Sequence, residues 1–262
     1  MTSVSLSAEG FTPPGPADFQ LPPIVGDSIL FSKPSLLLVL GAVVVAAFFI
    51  AASRGAAMVP SRLQYAGEQA YSFVRNGIAR DIIGSHDFMR FVPYLVTLFF
   101  FLLVNNLFGI IPLIQFPTFS HASFAYALAA ITWVVYNGVG VSRHGLFGYL
   151  KHQSVPGGVR GLILLLIVPL EFISNIVVRP FTLSLRLFAN MFAGHLLLIL
   201  FALGGEYLLL EAGQSLLKPV GVLAFLLAVA ISFLELLVQF LQAYVFTLLT
   251  AMYISGALAE EH

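Results

Sequence analysis

Apolar residues fill the chain in long runs separated by short polar stretches, and the run lengths predict its elements. Residues 35–53, 91–112 and 122–141 each form one run, about long enough to cross a hydrocarbon core ~30 Å thick as a helix. Two further runs, residues 161–203 and 219–258, are 43 and 40 residues long. If helical throughout, they would extend about 60–65 Å, so each is either a re-entrant hairpin or a steeply tilted helix. The last run has no Gly, Pro or Asn between Val222 and Ser255 to turn the chain, which favours tilt. In the other, Pro169 and Pro180 permit kinks. Ordinary spans tilt by about 20°, and larger angles need a packing partner to impose them. The runs do not form two matching halves, so no internal repeat is expected.

The polar stretches set the topology. Residues 1–34 hold no Lys or Arg before Lys33 and are rich in proline. They lack the charged start of a signal peptide and are expected to be an extended external tail, ahead of a single transmembrane domain over residues 35–262. Arg54, Arg62, Arg75, Arg80 and Arg90 follow the first run, and Arg143, Lys151 and Arg160 follow the third; only Lys33 and Lys218 fall on the other side. That bias places the N-terminus outside and the C-terminus in the cytoplasm. Val59, Leu63, Ala66, Ala70, Phe73 and Gly77 recur at steps of three and four, as in an amphipathic helix lying in the interface or on a protein surface. Pro156-Gly157-Gly158 reads as a turn.

Composition narrows the class. The 262 residues are 59% hydrophobic and 9% charged, with a mean hydropathy of +0.97, so the chain reads as an all-α integral membrane protein. Twelve basic residues balance twelve acidic ones, which gives no pull toward nucleic acid. There is no cysteine for a disulfide or a thiolate ligand. No phosphate loop, His-Glu-x-x-His site or nucleophile elbow occurs, so neither a catalytic site nor a cofactor is expected.

The candidate chemistry lies within the long runs. Arg186 has no acidic neighbour in sequence, cannot lose its proton, and costs roughly 2.5–3.5 kcal/mol at mid-membrane on insertion scales. Such a cost marks an ion pathway. Asn190 lies one helical turn away, whereas His195 points to about the opposite side. In the last run Glu235, Gln239, Gln242 and Tyr253 share one stripe, giving an otherwise apolar helix a wet seam. Glu235 is its only carboxylate, and a carboxyl group beside an imidazole can exchange a proton near neutral pH. Gln239, Asn190 and Asn106 fit a helix-packing hydrogen bond equally well. Arg179 is expected to snorkel toward a head group.

Leu183-Ser-Leu-Arg186-Leu-Phe-Ala-Asn190-Met-Phe-Ala-Gly194-His195 resembles the signature of subunit a of F-type ATP synthases. Asn105-Asn-Leu-Phe-Gly-Ile-Ile-Pro112 and Glu235-Leu-Leu-Val-Gln239-Phe-Leu-Gln242, with Tyr253, extend the resemblance across residues 35–262. The resemblance implies that the two long helices form a membrane-inclined hairpin against a ring of c subunits, with b-type peripheral stalk subunits and the remaining ATP synthase subunits as further partners, in contact with membrane lipid. It implies that Arg186 faces the ring carboxylate between two proton half-channels, with Gln242 near it and with His195 and Glu235 lining the outer one. Glu171, Ser174 and Asn106 match the family less closely, and some members place an acid where this chain has Gly109. The ending Ala259-Glu-Glu-His262 is in keeping with a bacterial protein of the cell membrane. Sodium in place of H+ stays open, because the ring carries most of the ion's ligands. A proton-coupled secondary transporter would use similar buried charges but should show paired repeats, and a charge-pair anchor in a structural scaffold is a further alternative for Arg186.

Overall fold

The computed structural model describes residues 13–15, 32–54, 57–111, 114–154, 164–210 and 217–259. Most of the expected external tail, the turn at residues 156–158, the start of the fourth run at 161–163 and the last three residues lie outside these. The described residues form helices α1 (Lys33–Ser53), α2 (Arg62–Val74), α3 (Asp81–Ile83), α4 (Phe88–Leu107), α5 (Ala122–Ser154), α6 (Leu164–Ile173), α7 (Arg179–Leu210) and α8 (Lys218–Leu258). A π-helical segment, Arg75–Arg80, joins α2 to α3, and a second, Ser174–Val178, joins α6 to α7. Five of the resulting helical stretches are long and apolar enough to cross a membrane. Helices are the expected solution there, since every backbone N–H and C=O in hydrocarbon must find its partner within the protein.

α1 is apolar on all sides. It starts where the Ser32 N–H donates to Ser35 Oγ at 3.2 Å, with proline in its first turn, a position that costs no helical hydrogen bond. α2 is capped by Ser61, whose Oγ accepts from the Gln64 N–H at 3.2 Å. Its buried face is Gly67 and Val74, continued by Ile78, one position round from the predicted stripe. Leu63, Ala66 and Gly77 of that stripe stay exposed. Gly67 decides the rotation, because any Cβ there would collide with Ala52 of α1. Phe73 covers Phe99, Phe240 and Tyr244 at ring distances of 5.6–6.3 Å.

Three run boundaries differ from the hydropathy reading. α4 stops at Leu107 and not near Pro112, because residues 108–111 turn and the Phe116 N–H comes back to the Phe108 carbonyl at 3.3 Å. Gly109 permits this fold-back; a Cβ there would lie 3.1 Å from Pro117 Cβ. α5 continues past Val141 to Ser154, with a break at Gly145, whose φ of 70° suits glycine. Hydropathy detects where a helix leaves lipid and says nothing of where it ends. The fourth run likewise stays helical to Leu210 and not Leu203.

α6 and α7 form a continuous helical path through Pro180. That proline has no N–H and crowds the carbonyl one turn back. The π segment takes up the mismatch, and α5 supplies the partners: Trp133 Nε1 donates to the Ile176 carbonyl at 3.0 Å and the Tyr136 hydroxyl to the Asn175 carbonyl at 3.3 Å. α8 is one unbroken helix of 41 residues, which rules out a re-entrant hairpin within it. α8 packs against α4, α5 and most extensively α7, while α1 sits outside on α4. The main core joins Leu95 and Phe99 of α4, Tyr136 of α5, Leu187 and Met191 of α7, and Phe246 and Ile254 of α8.

α7 and α8 run antiparallel. Gly205 meets Gly221, and a Cβ on Gly221 would fall 2.8 Å from Leu209 Cγ and 3.1 Å from the Gly205 carbonyl oxygen. Small residues at such a crossing let backbones approach, which matters where hydrocarbon supplies no hydrophobic drive for helix association. Gly221→Leu should therefore destabilise the chain by about 1–3 kcal/mol through overpacking. Thermal unfolding in detergent checks this, and an unchanged midpoint would mean the crossing is not tight.

Candidate functional site

The polar residues of the last two long helices meet along the α7–α8 seam. Nearest the loop between α4 and α5, Glu235 and His195 are each 4% exposed. Glu235 Oε1 lies 4.0 Å from His195 Nδ1 and accepts a long hydrogen bond from Gln239 Nε2 at 3.4 Å. Gln239, fully buried, is held from the other side: its backbone carbonyl accepts from Asn106 Nδ2 of α4 at 3.2 Å. Glu235 Oε2 has no hydrogen-bond partner, a costly state for a carboxyl group away from water. Gly194 of α7 faces the Glu235 carboxyl group, and a Cβ there would lie in ordinary contact, 3.6 Å from Glu235 Oε1.

His195 also lines a cavity of about 470 Å³ together with Gly109, Ile110, Gln115, Leu198, Ile199, Ala202, Leu203 and Ser232. The imidazole hydrogen-bonds the backbone of Gln115. Gln115 adopts φ 45°, the one non-glycine positive φ among the described residues. No sequence signal marks it; a left-handed glutamine becomes visible only once the loop is folded.

One level along the seam, Asn190 Nδ2 donates to Gln242 Oε1 at 2.8 Å. Asn190 is exposed and Gln242 buried, so the bond ties the outer surface of α7 to the interior. Arg186 lies a turn before Asn190 on the exposed face, and no salt bridge or hydrogen bond of its side chain is found among the described residues. It is within electrostatic reach of Tyr253. Gln242 thus meets Asn190 and reaches the Arg186 region through it.

Further along, the Arg179 guanidinium lies over the Tyr253 ring at 5.3 Å, in place of the expected reach toward a head group; a ring face offers a cation a partner without leaving the protein. Tyr253 also touches Tyr136, with centroids 5.4 Å apart. Glu171 accepts from Asn175 Nδ2 at 3.4 Å. Asn175 donates as well to the Gln153 carbonyl at 2.7 Å, and the Tyr149 hydroxyl donates to Asn137 Oδ1 at 3.0 Å. Ser174 opens the π segment and is half-buried. The structure therefore brings His195, Glu235, Gln239 and Asn106 into one group and Arg186, Asn190 and Gln242 into a second. Glu171, Ser174 and Tyr253 fall in a third region near the π segment.

A second cavity of about 460 Å³ lies at the opposite end of α4, lined by Asp87, Arg90, Ser142, Arg143 and Leu258 among others. Among the described residues no three His, Asp or Glu side chains come together as a metal cage. What the seam offers is a carboxyl group, an imidazole, amides and two fixed charges, Arg186 and Arg179, set apart from the carboxyl–imidazole pair.

The family model of the ATP synthase A chain matches residues 35–255. The chain belongs to the ATP synthase subunit a family. It is 63% identical to ATP synthase subunit a of a Nocardioides species over 97% of this chain and 95% of that protein. It is 51% identical to the subunit a of Pseudarthrobacter chlorophenolicus over the whole of both chains, and 43% identical to that of Streptomyces lividans over 97% of this chain and 90% of that protein. As a bacterial subunit a it is an integral component of the ATP synthase membrane sector, which serves proton transport and ATP synthesis, and its partners are other ATP synthase subunits.

The Asn190–Gln242 bond provides a direct energetic test of the seam. A double-mutant cycle of Asn190→Ala and Gln242→Ala should return a coupling of about 0.6 kcal/mol, and no more than about 1.7. Thermal stability of the purified complex measures it, and zero coupling would show that the two amides do not pair in the membrane.

Proposed function

We propose that this subunit forms two offset proton half-channels against the c ring and couples proton flow to ring rotation. The observation that carries the reading is the buried Glu235–His195 pair, opening through His195 onto the cavity at the α4–α5 loop while Arg186 faces away on the exposed side of α7. Two proton-exchanging groups and the permanently charged Arg186 stand on the same helix pair yet look into different surroundings.

In this reading residues 1–34 are an external tail, residues 35–262 a single transmembrane domain, and the N-terminus lies outside with the C-terminus in the cytoplasm. The excess of Arg and Lys at the end holding Arg62, Arg75, Arg90 and Arg143 supports that orientation. α2 lies near the inner interface. α7 and α8 form a tilted hairpin, too long for an upright span, pressed against the ring. b-type subunits hold the chain as part of the stator.

A proton arriving through the cavity is taken up by His195 and Glu235 and passed to a ring carboxylate, which becomes neutral and can enter lipid. After nearly a full turn the site meets Arg186, whose fixed charge favours the ionised carboxylate and so releases the proton to the inner side. Because Arg186 keeps its own proton, it separates the two paths instead of bridging them. Each charge crossing gains about 2.3 kcal/mol per 100 mV, the work available for rotation. Gln242 and Asn190 orient the polar groups beside Arg186, while Gln239 and Asn106 hold Glu235. Tyr253, Glu171 and Ser174 belong to the inner side.

The test is ATP-driven proton pumping in inverted membrane vesicles, together with passive leak after the soluble head is removed. An assembled Arg186→Ala complex should lose pumping and leak more, and Glu235→Gln should lower pumping without added leak. An Arg186→Ala complex that pumps like wild type would overturn the mechanism.

A further inference from the structure

Lys33, at the start of α1, reaches across to the loop that covers the cavity. Its Nζ donates to the Ile114 carbonyl at 3.0 Å and lies over the Phe116 ring at 5.8 Å. The two contacts fall on either side of Gln115. The same loop is pinned to the end of α4, with the Ile114 and Gln115 N–H groups both donating to the Ile111 carbonyl at 2.9 Å. Between these anchors Gln115 is held at φ 45°, a conformation that L-residues other than glycine, asparagine and aspartate rarely take.

The strained backbone has one visible consequence at the seam: the Gln115 carbonyl takes a hydrogen bond from the His195 imidazole. Nδ1 is the nitrogen turned toward Glu235, so the N–H given to Gln115 is that of Nε2. In a neutral imidazole one nitrogen carries the proton and the other accepts, and the partner of one decides the role of the other.

We infer that Gln115, clamped on both sides by Lys33, is a positioning residue that fixes the tautomer of His195, so that Nδ1 is the nitrogen exchanging protons with Glu235. This rests on the proton-path reading above. When the ring is protonated, the Nδ1–H bond breaks and an O–H bond forms on the Glu235 carboxylate. The ring is left neutral with its Nε2–H still on the Gln115 carbonyl. The reverse step breaks that O–H bond and restores the imidazolium. In the opposite tautomer Nδ1 would already carry a proton and could accept none from Glu235. It is the backbone of Gln115, and not its side chain, that does this.

The experiment compares ATP-driven pumping by assembled complexes carrying Gln115→Gly, Gln115→Asn or Gln115→Val. Gly and Asn tolerate the left-handed backbone and should keep most of the wild-type rate. Val, which is β-branched, should lose about tenfold. Lys33→Met should give a smaller loss in the same direction. In a His195→Gln background neither Gln115→Val nor Lys33→Met should lower the residual rate further, because both act through His195.

Wild-type pumping by Gln115→Val, or a loss by Gln115→Gly as large as that by Val, would overturn the proposal. A loss from Lys33→Met that multiplies with His195→Gln would also overturn it, and that pair serves even where the Val variant fails to assemble. If His195→Gln itself pumps normally, the proton path through His195 falls, and the positioning role with it. If His195→Gln is impaired while Gln115→Val is normal, only the positioning role fails.

Discussion

The close antiparallel contact of α7 with α8 is the constraint on which the other features depend. Arg179 and Tyr253, Asn190 and Gln242, His195 and Glu235, and Gly205 and Gly221 meet in succession along it. A slip of one residue in either helix would turn each of these pairs by about 100°. The register is set by space as much as by hydrogen bonds: Gly205 and Gly221 let the backbones touch. In lipid, where apolar faces gain nothing by turning toward each other, such fits and the polar pairs carry the association.

The same physics accounts for the irregular segments. Pro180 would strand a carbonyl inside hydrocarbon, and the cost is met by a π segment and two donors from α5, Trp133 and Tyr136. Asn106 crosses from α4 to a carbonyl of α8, and Asn105 donates to the Phe101 carbonyl of its own helix at 2.8 Å. The π segment Ser174–Val178 thus sits beside Glu171 and near Tyr253, where polar side chains can also satisfy backbone groups.

The faces of α7 and α8 turned away from the bundle remain largely uncovered. Only 17% of the most apolar window of the α6–α7 stretch, and of α8, is buried, against 50% for α4. Lipid can cover Leu234 and Leu237, which are exposed on α8, but it is a poor neighbour for the guanidinium of Arg186. A charge held on that surface calls for a partner bearing the opposite charge. That need links the membrane-sector role of the family to the surface of this chain.

The five membrane-crossing stretches, the uninterrupted α8 and the wet stripe of Glu235, Gln239 and Gln242 were all legible in the order of residues, because run length and helical period are local properties. So was the separation of Arg186 from His195 around α7. The ends of α4, α5 and α7 were not, since hydropathy records the edge of the lipid and not the last hydrogen bond of a helix. The packing face of α2 was decided by the collision that any Cβ at Gly67 would make with Ala52, a distant residue in a different helix. The pairing of Glu235 with His195, the turn of Arg179 onto Tyr253 and the left-handed Gln115 emerged only from the tertiary structure. Each depends on the approach of two segments far apart in sequence, and no local pattern encodes the distance between them.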